Sequence, residues 1–155
     1  MIPEFEDERI DLAATSEDAD TLAILASDRS DSVREAVAGN PHAAIETLWR
    51  LSEDSDDFIR EAVARNTTTP SELVEKLALD PDLATREAAL KRLPPDSKLA
   101  DEVRRAIAVE RRYLAEEKRD GSNTLRRMPA HKRAAAIARL EQVAGLGGAR
   151  LVDFD

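Results

Sequence analysis

A 13-residue pattern that returns every 26 positions constrains the fold of this chain more than any other feature. It reads DRSDSVREAVAGN from Asp28, DSDDFIREAVARN from Asp54 and DPDLATREAALKR from Asp80. The segment before each copy keeps the same spacing in its leucines, namely Leu25, Leu51 and Leu77. A fixed period of this length is typical of solenoids, in which each unit buries its apolar face only against its neighbours.

Each unit is predicted to form two short helices. Apolar residues at helical spacing predict the first helices near 20–27, 44–53 and 71–79. A second apolar stripe predicts the second helices near 32–38, 57–64 and 82–91. Gly39 is expected to end a second helix, because glycine tolerates a positive φ and Pro41 cannot continue the helix.

The two ends of the chain depart from the repeat. Residues 4–14 are predicted to be a degenerate half-unit and a solvated acidic cap, in which Ile10 lies 26 positions before Ala36 and Glu8 replaces the arginine. At the other end, a long helix is predicted from near Ser97 to about Arg119, and a last helix after Pro129. We expect these later helices to cap the open end of the solenoid.

The boundaries predicted from these patterns divide one structural domain into four parts. They are an amino-terminal cap at 1–20, helical repeats at 21–96, capping helices at 97–145 and a tail at 146–155. The predicted fold class is all-α, a solenoid of short helix pairs with a longer helical carboxy-terminal cap.

The repeat resembles the leucine-rich repeat variant proteins. The resemblance lies in SVREAVAGNP at 32–41 and TPSELVEKLALDPD at 69–82, and it covers about residues 14–100. It implies alternating α and 3₁₀ or short α helices that wind into a right-handed superhelix, similar to HEAT repeats. Some members of that family carry a cysteine-ligated iron–sulfur cluster ahead of the repeats. This chain has no cysteine, so that cofactor is excluded and no cofactor is predicted.

Composition and charge indicate a cytoplasmic protein. There is no apolar run of membrane-spanning length, and the acidic start MIPEFEDERI has no secretory pattern. The net charge of −9 is uneven, with −8 in residues 1–31 and +6 in residues 98–140. An acidic start and a basic later part indicate either an anionic partner or contact with each other.

The most regular polar feature is a ladder of arginines and aspartates: Arg34, Arg60 and Arg86 with Asp28, Asp54 and Asp80. One interpretation is a binding stripe along the concave face. The other is that each arginine bridges to a loop aspartate of its own or a neighbouring unit, or caps backbone carbonyls. Recurrence in every unit favours a role in stacking of the repeats.

Two aromatics mark a candidate binding site. Trp49 occupies the position of Ala23 and Glu75 in the other units, and Phe58 occupies that of Ser32 and Ala84. Small or charged residues at these positions indicate exposure, and exposed aromatics are typical anchors for a protein partner. The alternative is that either ring packs against the cap or a neighbouring helix pair.

Basic pairs on the long helix form an alternative site. They repeat every seven residues as Arg104–Arg105, Arg111–Arg112 and Lys118–Arg119, so that they share one flank of the helix. Such a stripe could contact phosphates of a nucleic acid, but interleaved glutamates and the acidic first part of the chain disfavour this.

The sequence contains no pattern for catalysis or for a metal site. His42 and His131 lie far apart, and GLGG from Gly145 follows a predicted helix and therefore terminates it. We therefore predict a non-enzymatic repeat scaffold that binds a protein or peptide through Trp49 and Phe58. The alternative is an electrostatic module for nucleic acid or an acidic protein, and self-association is a third option.

Overall fold

A computed structural model describes residues 2–119, except for the side chains at 113, 114 and 116–119. Every regular element within that range is an α-helix, which confirms the predicted all-α class. The chain divides into two compact units, Met1–Arg92 and Leu93–Asp155. The predicted last helix after Pro129 and the predicted tail at 146–155 lie outside the described residues.

The first unit consists of a single helix followed by three helix pairs. The single helix is α1 (Glu6–Thr15), and the pairs are α2 (Ala19–Leu25) with α3 (Asp31–Gly39), α4 (Ile45–Leu51) with α5 (Asp57–Arg65), and α6 (Ser71–Leu77) with α7 (Leu83–Leu90). Equivalent helices begin 26 residues apart, as at Asp31, Asp57 and Leu83. This confirms the predicted helical repeat, whereas the right-handed winding stays a prediction.

The odd-numbered helices α1, α3, α5 and α7 form one layer, which we call the odd layer. Each of them packs directly on the next, while α2, α4 and α6 form an even layer that packs on the odd helices next to them in sequence. Ala13, Ala38 and Ala64 are fully buried in the odd layer. Their small side chains let neighbouring helices approach closely.

Leucines of the even layer and β-branched residues of the odd layer make the core. The buried members include Leu22, Leu25, Leu48, Leu51, Leu73 and Leu77 from the even layer, and Val33, Val37, Ile59 and Val63 from the odd layer. Burying one such side chain stabilises the fold by about 1.5–3 kcal/mol before entropy is counted. The third unit places Thr85 where the others have Val33 and Ile59, and its hydroxyl donates to the carboxylate of Asp82 at 3.1 Å.

Polar side chains fix where the odd helices begin. Ser30, Asp56 and Asp82 precede α3, α5 and α7, and each side chain accepts a backbone N–H from the first turn. The Asp82 carboxylate, for example, lies 2.8 Å from the Thr85 nitrogen. Such a cap contributes about 1 kcal/mol, because the first amides of a helix lack an internal acceptor.

Two expectations about the repeat were wrong in detail. The half-unit is aligned 25 residues before the first full unit rather than 26, so that Arg9 takes the arginine position and Ala13 takes that of Ala38. Gly39 does not end α3 through a positive φ, because it is the last helical residue and the chain leaves the helix at Asn40 in an extended conformation. The turn between α1 and α2 is shorter than the turn between α3 and α4, and this difference accounts for the shifted alignment.

The described part of the second unit is dominated by α8 (Lys98–Arg119), which is 22 residues long. Its bounds confirm the long helix predicted after the repeats. Leu99, Val103 and Ile107 are buried along one face at helical spacing. The side chain of Leu114, which was predicted to continue this face, lies outside the described part.

Candidate functional site

Three arginine–aspartate pairs join consecutive repeats. The distance from Nε to Oδ2 is 2.7 Å in Arg9–Asp28, 2.8 Å in Arg34–Asp54 and 2.8 Å in Arg60–Asp80. In each pair a terminal guanidinium nitrogen also donates to the other carboxylate oxygen, at 3.3, 3.3 and 3.1 Å. Two parallel bonds match the planar fork of arginine to the carboxylate and fix the relative position of both repeats.

Each aspartate of the ladder also contacts the arginine of its own repeat. The Asp54 carboxylate accepts the N–H of Asp56 at 3.1 Å, and the Asp54 carbonyl accepts from Arg60 at 2.9 Å. Arg86 donates in the same way to the carbonyl of Asp80 at 2.7 Å. A chain of polar contacts therefore runs through all three repeats, and this supports the stacking role over the binding stripe.

The ladder lowers the pKa of Asp28 and of Asp54. Burial by itself would raise the pKa of Asp28 and of Asp54, but the hydrogen bonds from Arg9 and Arg34, the backbone N–H groups and the nearby positive charges outweigh it. The pKa of each carboxyl group is therefore below its ordinary value. Hydrogen bonds to Asp54 and Asp80 raise the pKa of Arg34 and Arg60 in turn.

Asparagines form a second ladder between repeats, which was not predicted from the sequence. The amide of Asn40 donates to the carbonyls of Ala13 at 2.8 Å and Ser16 at 2.9 Å. The amide of Asn66 donates to the carbonyls of Ala38 at 2.7 Å and Asn40 at 2.9 Å. The sequence signal was the 26-residue spacing of two asparagines that follow odd helices.

Arg92 takes the asparagine position in the third unit. Its guanidinium donates to the carbonyls of Asn66 and Thr67, and to that of Thr69 at 3.0 Å. Arginine thus donates to the backbone carbonyls of the preceding repeat's turn, and it has more donors and a longer side chain than asparagine. The two ladders together use most of the recurrent polar residues of the repeat within the scaffold.

Phe58 lies in a surface groove of about 510 Å³ on the odd layer. The groove is lined from α3 and its following turn by Glu35, Gly39 and Pro41, and from α5 and its following turn by Phe58, Glu61, Ala62, Arg65, Asn66 and Thr67. The Phe58 ring is 65% exposed, although a large apolar side chain usually avoids water. This combination of a groove and an exposed ring makes it the candidate binding site.

Trp49 is placed differently from Phe58. It belongs to α4 of the even layer, it is half-buried, and it does not line the groove. The amino group of Lys76, from the next repeat, lies 5.3 Å from the centre of its ring. This distance is typical of a cation–π contact, so one face of the indole is used within the scaffold.

Two basic side chains of α8 are paired with acids on their own helix. Arg104 lies 2.7 Å from Asp101, and Arg105 lies 2.6 Å from Glu102. Arg111 and Arg112 are exposed, whereas the side chains of Lys118 and Arg119 lie outside the described part. The pairing lowers the net positive charge of this flank.

The remaining candidates for chemistry are sparse. Among the side chains that the structure describes, no group of three or more His, Asp or Glu residues is arranged to hold a metal ion. His42 is exposed in the turn after α3, and His131 lies outside the described residues. Within residues 2–119, no helix combines the length and apolarity needed to cross a membrane.

Comparison with known proteins identifies the repeat. The family model described as leucine rich repeat variant matches residues 58–82, which hold all but the first residue of α5, all of α6 and the turn after α6. No curated protein and no solved structure matches the chain significantly. Residues 58–82 are therefore similar to a leucine rich repeat variant unit, as the resemblance of the sequence predicts, and equivalent helices recur at 26-residue intervals on either side.

Proposed function

We propose that this chain is a non-enzymatic repeat scaffold that binds a protein or peptide in the groove beside Phe58. The exposed ring of Phe58 carries this proposal. The equivalent positions hold Ser32 and Ala84, so stacking of the repeats does not require an aromatic there. Exposed aromatics beside a concave surface are typical hot spots of protein interfaces.

The match to a repeat family supports a scaffold role, because repeat folds present extended surfaces to their partners. The polar ladders support it as well. Since arginines and asparagines of the repeat hold neighbouring repeats together, we expect the odd layer to be rigid. A rigid surface loses little conformational entropy when a partner binds.

Trp49 is a secondary anchor in this proposal. Its contact with Lys76 already covers one face of the ring, so only part of its surface remains for a partner. The two aromatics are therefore expected to differ in effect, with a larger loss of binding for Phe58→Ala than for Trp49→Ala.

Quantitative affinity capture from native lysate tests the proposal. We compare wild type with Phe58→Ala, Trp49→Ala and the matched control Ile24→Ala, which removes a side chain that is 62% exposed on the even layer. Proteins that wild type and Ile24→Ala retain, but Phe58→Ala loses, support the groove. An unchanged captured set, or equal losses in Phe58→Ala and Ile24→Ala, contradicts it.

The electrostatic alternative has a separate test. Because Arg104 and Arg105 are paired with Asp101 and Glu102, we propose that contact of α8 with nucleic acid or an acidic protein is the weaker possibility. Nucleic acid that Phe58→Ala retains would favour this alternative if it is lost on replacing Arg104, Arg105, Arg111 and Arg112 by glutamate. Binding through phosphates would also weaken steeply as salt rises.

A further inference from the structure

The groove combines an aromatic face with a free carboxylate. Glu35 lines it from α3 and is exposed, and no basic side chain among the described residues forms an ion pair with it. Phe58 lines the same groove from α5. The two groups offer a partner side chain one apolar surface and one negative charge.

The space between these groups is open. A Cβ atom added to Gly39 would meet nothing within 4 Å. The equivalent positions in the other units hold Arg65 and Lys91, which both carry long side chains. The absence of a side chain at Gly39 therefore leaves room beside Glu35 for a side chain from outside.

The surrounding charge favours a cation in that space. Residues 1–92 contain 22 Asp or Glu against ten Lys or Arg, a net charge of −12. In the groove itself, Arg65 pairs with Glu61 four residues before it, so the charge of Glu35 remains. A positive group that enters is attracted both by this carboxylate and by the field of the whole unit.

We propose that the groove recognises an arginine in a segment of a partner protein, an inference that rests on the proposed function. The guanidinium stacks on the Phe58 ring while its fork pairs with the Glu35 carboxylate. Arginine fits better than lysine, because its cation is planar, weakly hydrated and able to make two parallel bonds. An acidic or purely apolar segment leaves Glu35 unpaired.

Selection from a displayed library of random heptapeptides on the wild-type chain tests this inference. We expect enrichment of arginine next to an apolar residue. For the selected peptides, Phe58→Ala should weaken binding about tenfold or more, and Glu35→Gln about fivefold. Replacing the peptide arginine by lysine should weaken binding at least about threefold. The matched controls Ile24→Ala and Glu72→Gln, both at exposed even-layer positions, should bind like wild type.

The outcomes separate this inference from the proposed function. Selected peptides that lack arginine but still depend on Phe58 overturn the inference and leave the proposed function standing. Peptides that bind Phe58→Ala as well as wild type, or no enrichment at all, overturn both. Sedimentation tests self-association. If wild type self-associates and Phe58→Ala does not, the groove binds a second copy of this chain, and the proposal of a separate partner protein is overturned.

Discussion

The guanidinium of Arg34 reaches across a repeat boundary to Asp54, with Nε 2.8 Å from Oδ2. The same carboxylate accepts a backbone N–H, and the carbonyl of the same residue accepts from Arg60. One aspartate thus connects the arginines of two consecutive repeats. Because each repeat supplies the same groups, the contact extends along the stack without a special residue at any boundary.

Arg34→Met is expected to lower the free energy of unfolding by about 2–3 kcal/mol, since it leaves a carboxylate that is only 12% exposed without its main partner. Arg65→Met is the matched control, because it removes an ion pair whose arginine is 69% exposed. The control should cost less than about 1 kcal/mol. Urea unfolding followed by circular dichroism measures both, and equal losses would contradict a special role of the ladder.

The ladder also predicts how stability depends on pH. The pKa of Asp28 and of Asp54 is lowered in the folded state, so ionisation of these groups stabilises the fold. This contribution is fully present above the ordinary value of 3.8 and is lost as the pH falls through the folded pKa values.

Urea midpoints of wild type and Asp54→Asn, measured from neutral pH downward, check this dependence. The stability difference between the two proteins should be largest at neutral pH and should shrink below 3.8, where Asp54 of the unfolded wild-type chain binds a proton more readily than Asp54 of the folded chain. A difference that stays constant as the pH falls through this range is incompatible with the lowered pKa.

Asn66→Ala is expected to lower the free energy of unfolding by about 2–3 kcal/mol, because the buried carbonyl of Ala38 loses the amide donor and that of Asn40 keeps only the N–H of Ala43. Asn66→Asp should be at least as harmful, since a carboxylate cannot donate to these carbonyls. Thr68→Ala, which removes an exposed hydroxyl that donates to Asn66, should cost less than about 1 kcal/mol. Denaturant unfolding distinguishes the three, and an unchanged midpoint in Asn66→Ala would refute the asparagine ladder.

Gly39→Ala is expected to raise the free energy of unfolding by about 0.5–1 kcal/mol. The residue is helical and a Cβ atom has open space, so alanine reduces the entropy of the unfolded chain without a clash. Thermal unfolding of the variant measures the gain. A lower melting temperature would contradict the prediction that alanine fits this helical position without strain.

The helices and their 26-residue period could be predicted from the amino-acid sequence. Leu25, Leu51 and Leu77 recur on schedule because every repeat must bury the same face, and a buried leucine is recognisable from spacing alone. The arginine ladder was visible for the same reason. The half-unit was aligned one residue away from its true position, since only the contact of Arg9 with Asp28 shows which residue fills the arginine position.

Which residues contact one another across the repeat boundaries could be seen only in the folded structure. Trp49 and Phe58 break the repeat in the same unit and look equivalent in sequence, yet Lys76 from the next repeat covers one ring and not the other. Likewise, nothing in the local sequence links Glu35 to Phe58, because they come from different helices. Contacts between residues of neighbouring repeats depend on how those repeats pack. The 26-residue period predicts that the repeats stack, but the spacing of single residues does not specify which side chains touch.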